Sequence, residues 1–423
     1  MQKDKILIQI AAYRDPELVP TIENCLAEAK YPENLVFAIG HQYSGEDLFT
    51  KDFDKYRDDS RFKIIDVPYD KAQGVCWMRH QIQKLWDDEE YTLQLDSHHR
   101  FIKNWDVELK DIVNYLRVKG HNKPIISSYA PSYFPDKDPK GRTQEIWSLT
   151  VDRFLPEGPS FLTPEVLSNK NYDEPIPGRF LSGHFIFTLG KFCKEVPYDP
   201  YFYFHGEETS LAARAYTHGY DIFLPPKVYV WHEYTRNGKK KHWDDHTTYD
   251  TLNKTSYQRF RQLFGVGGEC SPCAKKSMSE YWFGTERTLE QYENYVGIKF
   301  STKQLHKKTL NKQHPPICFS REELESELAS PIKHYIDVYK GSLPENDYDL
   351  VVVAFLDEEG NDLFRKDLSG HELKGLINSD PNDHFIHILR EYEDTRHPYK
   401  SLVWPHSESK GWGERIEQII PYE

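Results

Sequence analysis

The chain holds 423 residues, 38% hydrophobic and 14% aromatic, with 26 prolines. That composition is globular rather than disordered or fibrous, and the length exceeds one ordinary core, so a large and a smaller domain are expected. A net charge of −13 argues against a nucleic-acid or membrane-surface binder, because phosphate backbones and anionic lipids require clustered Lys and Arg.

The first part alternates strand and helix. Ile6–Ile10, Leu35–Ile39, Phe62–Val67 and Tyr91–Leu95 read as strands, separated by helical stretches over Pro20–Ala29 and Gly74–Leu85. This is the signature of an α/β domain with a parallel sheet. The apolar run Ile6–Ala12 is too short for a membrane span and lacks a signal-peptide cleavage pattern, so no integral membrane segment is expected. Trp105, Leu109, Ile112, Val113 and Leu116 recur at helical spacing and predict an amphipathic helix packed back on the sheet.

Between Asn122 and Pro177 the pattern loosens. Ile125–Ser128 reads as a short strand, and the remainder as long, ligand-facing loops. Phe180–Thr188 is predicted to be a strand whose Gly183 lets a backbone or ligand come close. A helix over Glu207–His218, stopped by Gly219, precedes strands at Ile222 and Val228. Arg236–Tyr249 is hydrophilic, carries Arg236, Lys239, Lys240, Lys241, His242 and His246, and reads as a mobile flap.

Further on, Thr288 with Gln291 and Ser320 with Glu323 have the spacing of capping boxes and mark two helix starts. The first domain is expected to cover 1–343, with a helical tail over about 250–335. Beyond it, Asp349–Leu356, His384–Leu389 and Arg415–Ile420 are β-rich runs separated by turn signals, giving a small, mostly antiparallel domain over 344–423. Six scattered cysteines make no disulfide framework and point to a reducing, cytoplasmic setting. Cys270-Ser-Pro-Cys273 lacks a second pair at zinc spacing, so two free thiols are the expectation there.

Two segments carry the chemistry. Leu93-Gln-Leu-Asp96-Ser97-His98 ends one strand and Val228-Tyr-Val-Trp231-His232 ends another. A side-chain period of two puts Asp96 and His98 on one side of the chain, at the carboxyl edge where open α/β sheets bind ligands. With His232 they form a hard-to-borderline donor set suited to Mn²⁺ or a similar divalent cation. An ion of that kind bridges a diphosphate, which fits transfer from a nucleotide-activated donor. Three other readings stand beside this one. Asp96 and His98 cap a turn while His232 is a core histidine; two His and a carboxylate hold non-haem iron in an oxygenase, which usually runs His-x-Asp on a β-barrel; or the chain is a binding module derived from an inactive transferase.

The motifs also carry a resemblance. Leu95-Asp96-Ser97-His98 resembles the Asp-Ser-His metal motif of the polypeptide N-acetylgalactosaminyltransferases, which have the GT-A (nucleotide-diphospho-sugar transferase) fold. Leu181-Ser-Gly183-His184-Phe185, Tyr203-Phe-His-Gly-Glu207-Glu208 and Val230-Trp231-His232 resemble their later motifs, in the same order. More closely, Ile10-Ala11-Ala-Tyr13-Arg14-Asp15-Pro-Glu-Leu18, Leu95-Asp-Ser-His-His-Arg-Phe101, Trp231-His-Glu-Tyr-Thr-Arg236 and Gly284-Thr-Glu-Arg-Thr-Leu-Glu-Gln-Tyr292 resemble cytoplasmic UDP-GlcNAc-dependent transferases that modify hydroxyproline, glycosyltransferase family 60. The resemblance spans about Ile6 to Phe300 and stops before the C-terminal domain.

It implies a Rossmann-like mixed sheet, a UDP-sugar donor, and Mn²⁺ or another divalent cation on Asp96, His98 and His232. Ala11, Tyr13 and Arg14 would border the uridine. Arg79, Ser97 and Gly183 would lie along the donor, and Arg236 with Lys239–Lys241 and His242 would fold over the diphosphate. His184, Glu207 and Glu208 would meet sugar or acceptor hydroxyls. The related families retain anomeric configuration, so the departing diphosphate itself accepts the acceptor's proton and no side-chain base is required. The acceptor is expected to be a protein or glycan hydroxyl. In the C-terminal domain, Trp404 and Trp412, beside Gly411 and Gly413, either bind a sugar or partner protein or form a small-domain core.

Overall fold

A computed structural model describes residues 2–168, 170–236, 238–268 and 270–420. Twelve strands build the first part: β1 Gln2–Tyr13, β2 Leu35–Tyr43, β3 Phe62–Pro68, β4 Glu89–Leu95, β5 His99–Phe101, β6 Pro124–Ser127, β7 Ile146–Phe154, β8 Ser160–Ser168, β9 Ile176–Pro177, β10 Phe185–Leu189, β11 Asp221–Leu224 and β12 Val230–His232. Eight of them form one sheet in the order β3-β2-β1-β4-β10-β6-β11-β9. The first four are mutually parallel, as the alternating pattern predicts. β10 enters antiparallel between β4 and β6, and β9 closes the far edge antiparallel to β11, so the sheet is mixed rather than wholly parallel.

The unbroken apolar run of β1 follows from coverage on both faces. Ile6, Ile8 and Ile10 face the helices Leu18–Glu28 and Trp105–Val118, whereas Leu7 faces Met78 and Ile82 of the helix Val75–Gln83. All of these side chains are buried, and each such aliphatic group contributes about 1.5–3 kcal/mol through its removal from water. Trp105 anchors its helix to Leu18–Glu28, its indole N–H donating to the Cys25 carbonyl at 3.0 Å.

Three regions depart from the sequence expectation. Residues 122–177 are not mainly loops, because β7 and β8 pair as an antiparallel hairpin. Its prolines hid it. Pro164 sits opposite Leu149 on a strand with one partner in its sheet, the edge setting in which proline is tolerated. Second, the strand expected over Phe180–Thr188 is confined to β10, and Ser182-Gly183-His184 forms a turn closed by the Phe185 N–H to the Ser182 carbonyl at 3.1 Å. Third, the segment read as a flap contains a helical turn, His242–Asp245, docked by the Tyr13 hydroxyl on Asp245 at 2.8 Å and by His242 Nδ1 against the Tyr203 hydroxyl at 2.9 Å.

Both expected capping boxes are present at Thr288 and Ser320. The C-terminal part is antiparallel and β-rich as expected, with the helix Gly370–Ser379 on its sheets. Its core joins Val351, Val353, Phe355, Leu373, Ile386, Ile388 and Val403 with Ile336 and Val338. The last two belong to the strand Leu328–Tyr339, which pairs with Phe385–Asp394 along ten positions from Ser330↔Asp394 to Tyr339↔Phe385. This core therefore draws on chain ahead of the expected boundary at 343/344. Trp404 and Trp412 pack at 4.3 Å with their rings tilted by 32°, with the Arg415 guanidinium 4.3 Å above Trp404; Trp404 is partly buried and Trp412 is 47% exposed. None of the six cysteines is in a disulfide. Among the described residues, no helix is long and apolar enough to cross a membrane.

Candidate active site

β4 delivers its chain to the carboxyl edge of the sheet, and Asp96 is the first residue beyond it. The antiparallel pair β5–β12 places His232 opposite His99, and this crossing brings a residue far along the chain to the end of β4. His232 Nε2 lies 3.3 Å from Asp96 Oδ2, and His98 Nε2 lies 3.9 Å from the same oxygen. The two imidazole rings are 4.5 Å apart. One donor atom from each of Asp96, His98 and His232 falls within 4.8 Å of the others, and among the described residues this is the one such group.

The electrostatics suit a cation. Burial raises the cost of charging Asp96, but His232 and Arg79 outweigh it and hold the carboxyl well below its usual range. Burial, reinforced by the neighbouring His98, drives the His232 imidazole well below its ordinary value, so it stays neutral and keeps a lone pair for a metal. His98 turns Nδ1 to Asp15 Oδ2 at 2.7 Å, and the same oxygen accepts the Ser97 hydroxyl at 2.7 Å. With Nδ1 turned to Asp15, Nε2 faces Asp96. One carboxylate and two imidazoles, one of them already oriented by a second carboxylate, fit a divalent transition-metal ion.

Beside this group lies a buried ionic network. Arg79, 4% exposed, donates to Asp96 Oδ1 at 2.8 Å and to Glu207 Oε1 at 2.9 Å. Tyr198 bonds both Glu207 and, at 3.1 Å, Arg79. Gly183 is demanded here, since a Cβ on it would sit 2.7 Å from Arg79 Nη1 and 3.1 Å from Glu207 Oε1. Its N–H donates to Glu208 Oε1 at 2.7 Å. Burial, with the adjacent Glu207 charge, pushes the Glu208 carboxyl up to about 8; burial raises that of Glu207 as well. His184 packs on His232 at 4.5 Å, accepts the Ala130 N–H on Nε2 at 3.0 Å, and is kept neutral by burial.

A cavity of about 460 Å³ opens over these groups. Ala11, Tyr13, Arg79, Asp96, Ser97, His98, Gly183, His184, Glu207, Glu208, His232 and Arg236 all line it. Arg14 does not. Its guanidinium pairs with Asp47 at 2.8 Å and Asp245 at 3.0 Å and lies 4.8 Å over the Tyr69 ring, behind Tyr13. The structure adds walls to which the sequence reading gave no role: Tyr129 and Tyr234, stacked at 4.9 Å, together with Phe161, Phe204 and Trp243. It also adds two supports, Asp15 and Tyr198. Phe204 and Asp15 stood inside quoted motifs without a role; Tyr198, in Pro197-Tyr-Asp-Pro200, carried no signal.

A family profile described as "Glycosyltransferase (GlcNAc)" matches residues 5–61 and 50–302. The chain belongs to this family. Its architecture is the expected mixed α/β sheet with a β-rich C-terminal region. Among solved structures, the chain is similar to S. aureus TarS 1-349 (TM-score 0.40, 14% identity, covering 66% of this chain and 70% of that one). It is also similar to GalNAc-T7 with UDP, GalNAc and Mn²⁺ (0.45, 13%, 71% and 60%) and to the mannosyltransferase PcManGT from Pyrobaculum calidifontis with GDP-Man and Mn²⁺ (0.37, 10%, 65% and 68%). No curated protein matches the sequence. The oxygenase triad usually sits on a β-barrel, whereas Asp96, His98 and His232 of this glycosyltransferase stand at the edge of an open α/β sheet. The inactive-module reading would gain from Glu207 and Glu208 or the flap lying far from these three, and Glu207, Glu208 and Arg236 line the same cavity as they do.

Proposed function

We propose that this glycosyltransferase moves an N-acetylhexosamine, GlcNAc, from a UDP-sugar to a hydroxyl of a protein or glycan acceptor, with retention of configuration, as in the cytoplasmic hydroxyproline-modifying family 60 that its motifs resemble. The observation that carries this reading is the convergence of Asp96, His98 and His232 on the floor of a cavity that also holds Tyr13, Glu207 and Glu208. These three side chains would hold Mn²⁺ or a similar cation, which when bound neutralises the charge developing on the UDP leaving group.

The chain's own groups supply the rest. Ala11 and Tyr13 border the base, with Arg14 and Asp245 fixing the Tyr13 ring from behind. Arg79 exchanges a carboxylate partner for donor oxygens, and Arg236 brings a second positive charge to the diphosphate. Glu207, Glu208 and His184 accept or donate to sugar and acceptor hydroxyls. Glu208 is poised to donate, because burial keeps it protonated near neutrality. His242 and Trp243 close the outer wall and exclude water, which favours transfer over hydrolysis. The leaving diphosphate takes the acceptor's proton, so no side chain is assigned as base. The Trp404–Trp412 pair is the surface proposed for a sugar or partner protein.

Hydrolysis of UDP-GlcNAc, UDP-GalNAc and other UDP-sugars, with and without Mn²⁺, tests the assignment on wild type and Asp96→Ala. The expected result is one preferred donor, UDP-GlcNAc, cleaved only with metal and at least 100-fold more slowly by Asp96→Ala. Turnover of no donor by folded, metal-loaded wild type contradicts it.

A further inference from the structure

Asp15 stands at the meeting point of two parts of the molecule that the sequence separates widely. Its side chain is fully buried, and its Oδ1 is occupied by the Glu17 N–H at 3.0 Å. Oδ2 accepts both His98 Nδ1 and the Ser97 hydroxyl at 2.7 Å. The same oxygen faces the guanidinium of Arg236, Nη2 at 3.6 Å, where the chain enters the segment carrying Lys239–Lys241 and the helical turn His242–Asp245. Arg236 adopts φ +39°, a left-handed conformation unfavourable for a residue with a Cβ, and its Nε is buried without a hydrogen-bond partner. Arg14, immediately before Asp15, is likewise at φ +45°. Backbone held in this region on both sides of one carboxylate marks a placement that the surrounding contacts enforce.

We infer that Asp15 is a positioning residue with two partners: it fixes His98 with Nε2 toward the cation site, and through the same oxygen it couples metal binding to the docking of Arg236 and the segment that follows. The inference rests on the proposed metal site and adds what lies behind it. An ionised carboxylate only accepts hydrogen bonds, so His98 donates from Nδ1, and Nε2 is the nitrogen left facing the cation site. A cation on Nε2 withdraws density from the ring and strengthens the Nδ1–H···Oδ2 bond. That draws density on Oδ2 away from Arg236, so the cation and the docked guanidinium compete for one carboxylate, and linkage makes the effect reciprocal: a bound cation loosens Arg236 and frees it for an anion.

The test uses the full-length, metal-free protein titrated with Mn²⁺ alone, with free Mn²⁺ read by electron paramagnetic resonance, and trypsin cleavage at Lys239–Lys241 followed with and without saturating Mn²⁺. Wild type is expected to bind one Mn²⁺ per chain and to be cut faster when loaded, and slower cleavage on loading overturns the inference. Asp15→Asn should bind about 10–100-fold more weakly. Arg236→Gln should lose this dependence of cleavage on saturating Mn²⁺. Because Asp15→Asn removes a buried charge and can unfold the chain, ¹⁵N shifts of His98 in metal-free wild type give an independent reading: Nδ1 protonated and Nε2 bare is expected. Equal Mn²⁺ affinity in Asp15→Asn, the opposite His98 tautomer, or a cleavage response in Arg236→Gln matching wild type overturns the inference while leaving the metal site standing. Failure of wild type to bind Mn²⁺ overturns both.

Discussion

At the scale of single residues, the site depends on close approach and on buried charge. Gly183 admits Arg79 to within contact of Glu207, and Arg79 is pinned at its other end by Asp96, so it cannot swing aside without breaking an ion pair. Gly183→Ala is expected to destabilise the fold by about 1–3 kcal/mol and to lower kcat at least tenfold. Urea unfolding and donor turnover check both. Wild-type values for each would show that the network yields freely. Glu208 gives a pH prediction. Its folded-state carboxyl is pushed up to about 8 against an ordinary 4.5, so between these values the native form keeps a proton that the unfolded chain has released. Stability therefore falls as pH rises through that window. Glu208→Gln should raise the Tm of the metal-free protein most at pH 8 and above, and the gain should vanish below pH 4.5; a pH-independent difference contradicts this. The three convergent donors were legible as Asp-x-His and Val-Trp-His at strand ends. The roles of Asp15 and Tyr198 were not, because a supporting residue is defined by what it touches across the fold, and neither has a local pattern of its own.

Elements were legible wherever periodicity and capping agree. β1–β4 and the helix Trp105–Val118 follow their apolar spacing, and the helix starts at Thr288 and Ser320 follow their reciprocal side-chain bonds. The Ser369–Glu372 box has the same spacing and starts a helix that the β-rich reading passed over. The hairpin β7–β8 escaped because proline reads as loop unless the strand is known to have a single partner. Turn 182–184 escaped because an apolar run hides the point where the chain leaves the sheet. The strand Leu328–Tyr339 lies ahead of the expected boundary and contributes to the C-terminal core. It pairs with Gln304–His306 on the catalytic side and with Phe385–Asp394 on the other. A fragment ending at residue 343 would keep that strand, with Ile336 and Val338 exposed and one edge open. It is expected to aggregate on size-exclusion chromatography at concentrations where the full chain elutes as a defined species; a soluble, cooperatively unfolding 1–343 fragment would contradict the shared core.

Across the whole molecule, the chemistry sits where an open α/β sheet gathers loop residues from distant parts of the chain. β4 leads into Asp96 and His98, the β5–β12 pair brings in His232, and the helix Glu207–Thr217 brings two acidic residues beside them through Arg79. An acidic chain with a local set of Arg79, Arg236 and Lys241 at this cavity is the charge arrangement an anionic donor requires. The central claim is that three side chains share one cation at the cavity floor. Anomalous diffraction at the manganese edge, from crystals soaked in MnCl₂ and UDP, tests it most directly. The account predicts one strong peak within bonding distance of Asp96, His98 and His232, with diphosphate oxygens completing the coordination. A peak elsewhere, or none at these residues with UDP bound, contradicts it.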